Sequence, residues 1–224
     1  KHMLQTEKHF TTFAFVSLMQ HGERDFYFNR GADAELSQTD CNKIALADFS
    51  IVHFGSATGF LKGPLQKAYS SMLKKAGNKG LFISFDPNYR HLLFKNNTKT
   101  FITQSWKFMK QCHFFKVSDE EALLLTQKKS VEEAAKDFIK KTTAIFAITL
   151  GKEGTLLGLN GQTFLVPSIK VKPTDTTGAG DAFVGAILYQ LNSKTLIQIK
   201  KMGAAEWQNI IANANKAGAR TCEY

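Results

Sequence analysis

From Phe49 to Leu150 the sequence alternates short apolar, β-rich runs with longer stretches of helical periodicity, and this alternation constrains the fold more than any other feature. The β-like runs are Phe49 to Phe54, Leu81 to Phe85, His113 to Val117 and Ala144 to Leu150. Helical patterns cover Pro64 to Lys75, Thr98 to Met109, Ser118 to Thr126 and Val131 to Lys141, with proline at the first start and lysine at the last end. Strands joined by helical crossovers run parallel, so the pattern predicts an α/β fold with a mainly parallel sheet covered by helices. Gly154 to Leu159 and Gln162 to Val166 then read as a hairpin across Asn160-Gly161, a pair suited to the positive φ angles of a tight turn.

Ahead of this pattern, Phe13, Phe15 and Leu18 lie on one β-like run, His21-Gly22-Glu23-Arg24 is polar and turn-prone, and Asp25 to Phe28 resumes the β pattern. A hairpin with its exit over 10–33, followed by the α/β domain over 34–224, is the expected division. A chain of 224 residues with 43% hydrophobic content can bury one sizeable core. No apolar run approaches the roughly 20 residues that span a bilayer, and Lys1-His-Met-Leu-Gln lacks the apolar stretch of a signal peptide. A soluble, cytoplasmic protein without a membrane partner is therefore expected. Cys41, Cys112 and Cys222 are far apart and outside any zinc-ligand spacing, which reads as reduced and structural. The formal charge of +10 comes almost wholly from dispersed lysine, with guanidinium forks only at Arg24, Arg30, Arg90 and Arg220. That distribution describes a solvated surface and an affinity for small anions, not a nucleic-acid partner.

Beyond the hairpin, strand-like Leu165 to Val171 leads through Pro173 and Asp175-Thr-Thr-Gly-Ala-Gly to Asp181, and then into an amphipathic helix. Gly178 and Gly180 would let backbone N–H groups approach an anion, and the unsatisfied N–H groups of a helix N-terminus favour negative charge there. An acidic first turn and a permissive glycine turn also need no ligand to explain them, so these residues alone leave both readings open. The phosphate loop G-x-x-x-x-G-K-[ST] is absent.

The run D-T-T-G-A-G-D-x-F closely resembles the signature of ribokinase-like sugar kinases, the superfamily named for the minor bacterial phosphofructokinase. The resemblance implies a three-layer αβα fold with a small β lid, and an ATP-dependent kinase acting with Mg²⁺ on a sugar hydroxyl. It makes Asp181 the general base and the amides of Gly178, Ala179 and Gly180 an anion hole for the transferring phosphoryl group. Phosphoryl transfer needs positioning and charge stabilisation more than covalent catalysis, which suits such a set. Asp175 becomes a candidate ligand for a monovalent cation such as K⁺.

Further segments extend the resemblance. Asp86-Pro87-Asn88-Tyr89-Arg90 is similar to the D-P-N-x-R motif of fructokinases and 2-keto-3-deoxygluconate kinases, which makes Asn88 and Arg90 substrate contacts; a plain turn is the other reading. Ser118-Asp-Glu-Glu121 resembles the N-x-x-E motif with Ser118 in place of asparagine, so Glu121 would organise Mg²⁺ through its waters. The same residues spell a capping box, and the two readings can coexist. Thr149-Leu-Gly151-Lys-Glu-Gly154 looks like the nucleotide-side segment, Asn215 falls where relatives approach adenine, and Phe28-Asn-Arg30-Gly-Ala-Asp33 looks like a lid exit that makes Arg30 a sugar contact. In relatives such a lid pairs two subunits, so Phe13, Phe15, Phe26 and Phe28 are expected either at a homodimer contact or in the core.

The resemblance begins in mid-family. The N-terminal strands with the glycine-rich sugar loop do not precede Lys1, and the closing helix does not follow Tyr224, so the sequence reads as part of a longer protein. Gln127 stands where a glycine is usual after Thr126. Fructose is the favoured sugar, with 2-keto-3-deoxygluconate as the alternative; a non-catalytic scaffold is a third reading.

Overall fold

The computed structural model describes residues 3–18 and 24–223; His21, Gly22 and Glu23 of the predicted turn lie outside them, as does Tyr224. Strands β1 (Phe13–Leu18) and β2 (Arg24–Asn29) pair antiparallel in a sheet of their own. A short helix α1 (Gln38–Asn42), capped by Ser37, follows before the main sheet begins. That sheet has six strands in sequence order, β3 (Ile51–Gly55), β4 (Phe82–Asp86), β5 (Phe114–Ser118), β6 (Ile145–Thr149), β7 (Thr155–Leu159) and β8 (Gln162–Val166). β3 to β6 are parallel, while β7 and β8 return antiparallel.

Helices α2 (Pro64–Asn78), α3 (Thr98–Met109), α4 (Asp119–Thr126) and α5 (Val131–Lys141) follow the crossovers. Their buried residues share one core with Phe54, Ile83, Phe85, Phe115, Val117, Phe146 and Ile148. The intervening strand positions Phe82, Phe114, Ala147 and Leu157 belong to a second core with α6 (Ala179–Leu191), α7 (Leu196–Lys201) and α8 (Ala204–Thr221). Alternate side chains of a strand point to opposite faces, so this division places one helical layer on each side of the sheet. Aromatic rings fill both: Phe60, Phe85 and Phe108 interlock at centroid distances of 5.1 to 5.9 Å, and Phe114 stacks on Trp207 at 5.9 Å.

The strand expected through Val171 instead stops at Val166. Pro167 has no N–H to continue the ladder, and its carbonyl accepts from the Asn215 amide. The hairpin turn is as expected, with Asn160 at φ 50° and Gly161 at φ 78°. Gln127 also ends α4 in the left-handed region, φ 57°, where a glycine would carry no Cβ penalty.

Candidate active site

The C-terminal ends of the parallel strands carry most of the site, where an open α/β sheet usually places its ligands. β4 ends at Asp86, and the chain leaves it through a turn in which the Asn88 N–H donates to Asp86 Oδ1 at 3.0 Å. Asn88 takes φ 50°, a conformation that asparagine tolerates better than most side chains. β5 ends at Ser118, whose hydroxyl caps α4 by accepting the Glu121 N–H at 3.1 Å, while Glu121 Oε2 accepts the Ser118 N–H at 2.8 Å. The capping box is therefore formed. The other Glu121 oxygen reaches across to accept the Tyr89 N–H at 2.6 Å, joining the exits of two neighbouring strands.

From the opposite layer, Gly178 with φ 80° turns the chain into α6 and puts Asp181 in its first turn. α8 holds this turn in place. A Cβ on Gly218 would stand 3.0 Å from the Ala179 carbonyl, and the N–H groups of Thr174 and Asp175 donate to the Cys222 carbonyl at 2.7 and 3.2 Å. Asp175 Oδ1 in turn accepts the Thr177 N–H at 2.6 Å.

A cavity of about 640 Å³ lies between these walls, with Asn88, Arg90 and Glu121 on one side and Thr177, Gly178, Gly180 and Asp181 on the other. Gly178 and Gly180 line it, and between them the Ala179 N–H donates to the Thr176 carbonyl at 3.3 Å.

Charges crowd the floor. Lys116, buried on β5, meets Asp86 at 3.2 Å, and both line the cavity. Burial works against the ammonium, but the charges of Asp86, Glu121 and Asp181 overrule it and hold Lys116 above the ordinary lysine value. Burial and then the Asp86 charge push Glu121 up, against the pull of Lys116 and the two backbone N–H groups. On β3, burial keeps His53 below its ordinary value, and its Nδ1 lies 3.1 Å from the Ser84 hydroxyl.

Other expected residues lie apart from the cavity lining. Thr149 ends β6 as the register partner of Ser118, one strand along from Glu121, and Gly151 follows at φ 55° with open space where a Cβ would be. Gly154 is required by packing, since a Cβ there would stand 2.2 Å from the Val166 carbonyl. Asn215 is buried, and its amide is committed internally: Oδ1 accepts from Thr155 Oγ1 at 2.6 Å, and Nδ2 donates to the Val166 and Pro167 carbonyls at 2.9 and 3.2 Å. It pins α8 to the β7–β8 hairpin. Arg30 is held by Asp33 at 3.2 Å on the exit from β2, a strand that lies against the turn His91–Leu93 just after Arg90. Burial opposes the Asp33 charge, but hydrogen bonds from Thr12, Thr58 and Arg30 hold its carboxyl below the ordinary value.

The sequence assigns no role to Lys116 or His53, and it marks Asp86 only as the first residue of the D-P-N-x-R motif. A lysine within the apolar run Phe114-Phe-Lys-Val117 was the available signal, because a charge inside a doubly covered strand needs a partner or a task.

A three-layer sheet whose strand ends face a glycine-rich helix start with an adjacent carboxylate defines the ribokinase-like class of sugar-kinase folds. Within it, the chain belongs to the pfkB family of carbohydrate kinases, whose model matches residues 1–224. Fructokinase-1 of Oryza sativa subsp. japonica is 34% identical over 221 residues, covering 94% of this chain; the chain spans 65% of that relative's length. A fructokinase double mutant from Vibrio cholerae O395, solved with fructose, ADP and a potassium ion bound, is 25% identical with a TM-score of 0.82 over 100% of this chain and 70% of that one. Aminoimidazole riboside kinase from Salmonella enterica, solved with aminoimidazole riboside and an ATP analogue, is 26% identical with a TM-score of 0.76 over 89% of this chain and 64% of that one.

Proposed function

We propose that the protein containing this chain is an ATP-dependent sugar kinase that phosphorylates a hydroxyl of fructose. One observation carries the reading: Asp181, the two glycines of the α6 start and the Asn88–Arg90 turn line a single cavity. Asp181 accepts the proton of the sugar hydroxyl as that oxygen attacks the γ-phosphorus of ATP. The N–H groups of Gly178 and Gly180 bind the equatorial oxygens of the transferring group, with Ala179 fixing the turn between them. Asn88 and Arg90 orient the sugar, and Arg30 approaches it from the lid, for which we take residues 10–33. Thr149, Gly151 and Gly154 form the nucleotide-side segment, with Asn215 holding the wall behind it. The fructokinase relatives, one of them solved with fructose and ADP bound, favour fructose over 2-keto-3-deoxygluconate.

Among the described residues no group of three or more His, Cys, Asp or Glu is placed to hold a metal. That suits Mg²⁺ carried by nucleotide phosphates and water, which needs few direct protein ligands. Glu121, a hard oxygen donor whose carboxylate lines the cavity, would hold such waters, and bound Mg²⁺ would neutralise phosphate charge. Asp175 is the candidate for a K⁺ ligand, supported by the potassium ion in the relative.

We also propose a homodimer through the lid, supported by the exposure of Phe13, Phe15 and Tyr27 on β1 and β2; the side chain of Phe26 lies outside the described residues, and Phe28 is half-buried. A cytoplasmic location fits three buried cysteines outside any disulfide, and no helix among the described residues is long and apolar enough to cross a membrane. The test is ADP release by the full-length protein with a panel of sugars. Fructose is expected to show kcat/KM at least about 10-fold above 2-keto-3-deoxygluconate and aminoimidazole riboside. ADP release that no sugar stimulates would overturn the proposal.

A further inference from the structure

Among the described residues, β1 and β2 pair only with each other, so the place of this hairpin on the molecule depends on its two stalks, residues 10–12 and 30–32. The stalks cross in contact. The Ala32 N–H donates to the Phe10 carbonyl at 2.8 Å, and a Cβ on Gly31 would stand 2.1 Å from that same oxygen, so only glycine fits at the crossing. Thr12 Oγ1 accepts the Gly31 N–H at 2.8 Å and donates to Asp33 Oδ1. The other Asp33 oxygen accepts from Nε of Arg30 at 3.2 Å, and Thr58, in the loop after β3, hydrogen-bonds the same carboxylate. Asp33 itself sits in the short turn Ala32–Glu35, which packs against α2. One carboxylate thus gathers the entry stalk, the exit stalk and the body. β2 also lies against the turn His91–Leu93, next to Arg90 of the cavity lining. Arg30 Nη2 is buried without a hydrogen-bond partner among the described residues, an arrangement that an acceptor oxygen would relieve. A guanidinium holds its five N–H donors in one rigid plane, so fixing Nε on Asp33 fixes where Nη2 points.

We propose that Asp33 is a positioning residue for sugar binding: it latches the hairpin to the body and, through Nε of Arg30, aims the Nη2 donor at an oxygen of the bound sugar. This rests on the kinase reading above. Asp33 touches no reacting atom and acts through Arg30 and the stalks. A hairpin already fixed at its base loses little further freedom when the sugar arrives, so the latch strengthens sugar binding. Without it, both the direction of Arg30 and the place of the hairpin have to be set anew by each sugar that binds. The chemistry at Asp181, which belongs to α6, keeps its own geometry once the sugar is in place.

The experiment compares the full-length protein with Asp33→Ala, Arg30→Ala, the double variant of the two, and Thr12→Val, which cuts the latch from its other side. Four readouts are taken: KM and kcat with the sugar the wild type accepts, the Kd of ADP, and hydrogen exchange of the β1 and β2 amides. Asp33→Ala is expected to raise the sugar KM at least about 10-fold, with kcat within about threefold and the Kd of ADP within about twofold. The β1 and β2 amides are expected to exchange at least about 10-fold faster. Because Asp33 acts through Arg30, the double variant is expected to bind sugar within about twofold of Arg30→Ala alone. A sugar KM within about twofold of wild type overturns the proposal, as do additive losses in the double variant or an equal weakening of sugar and ADP. If Asp33→Ala does not fold, Thr12→Val carries the same KM and exchange expectations; failure of both to fold overturns the proposal, since the latch would then be structural. A wild type that phosphorylates no sugar fails the kinase reading and with it the aim of Arg30, and the exchange of the β1 and β2 amides then decides the latch by itself.

Discussion

The Tyr89 backbone N–H donates to Oε1 of Glu121 across 2.6 Å, so a helix-capping carboxylate also fastens the turn that leaves the neighbouring strand. Glu121 thereby sets the spacing between the Asn88–Arg90 turn and α4. Glu121→Ala removes the acceptor of two N–H groups, those of Tyr89 and Ser118, and is expected to cost about 2 kcal/mol or more in urea unfolding. Glu121→Gln keeps one oxygen and is expected to cost roughly half as much.

Asp181→Asn is expected to reduce sugar phosphorylation by a factor of about 1000 or more while leaving ATP affinity within about threefold. Asparagine preserves the size of the side chain in the first turn of α6 but cannot take the hydroxyl proton. Near-normal turnover in this variant would remove Asp181 from the mechanism.

Two glycines on the packed pair α6 and α8 should respond in opposite directions. A Cβ on Gly218 meets the Ala179 carbonyl at 3.0 Å, a backbone atom that moves only with the helix, so Gly218→Ala is expected to lose about 1 kcal/mol or more. Gly185 has nothing within 4 Å of the same construction, and Gly185→Ala is expected to gain about 0.5–1 kcal/mol. Denaturant midpoints at constant m decide both.

Gln127→Gly should stabilise the protein by about 1 kcal/mol, since Gln127 holds φ 57° at an exposed helix end. A loss of stability would mean that the glutamine side chain contributes more there than its backbone strain costs.

Acid should loosen the seam between β4 and β5. The Ile83 N–H donates to Nδ1 of His113 at 3.0 Å, a bond that requires an unprotonated nitrogen. Burial, and then the Lys200 charge, hold this imidazole below the ordinary value of 6.5. The unfolded chain therefore takes up a proton that the folded chain refuses, and the contribution is whole above pH 6.5 and shrinks as pH falls toward the folded value. His113→Asn can still accept at its amide oxygen and does not titrate. The wild-type melting temperature is expected to fall more steeply than the variant's as pH drops below 6.5.

The main sheet was legible because strands covered on both faces are written as continuous apolar runs; the limits read for α3 and α5 coincide with those observed. α8 was not delimited, since its close approach to α6 at Gly218 selects small residues that blur a helical stripe. α1 and α7 are short and announced mainly by their caps, Ser37-x-x-Asp40 and Thr195-x-x-Gln198. At the site, residues of one contiguous motif were readable, whereas Lys116 acquires its place only when β5 slides beneath the start of α6. Asn215 adds a contact the sequence does not announce: its amide holds the β7–β8 hairpin.

The Asn160-Gly161 turn closes β7 and β8 at the pole opposite the strand ends that carry the site, because β7 runs back along β6. Its residues are exposed, with open space around Gly161. That pole is a natural handle: a tag, fluorophore or surface linker inserted there would leave the mouth of the cavity facing solution.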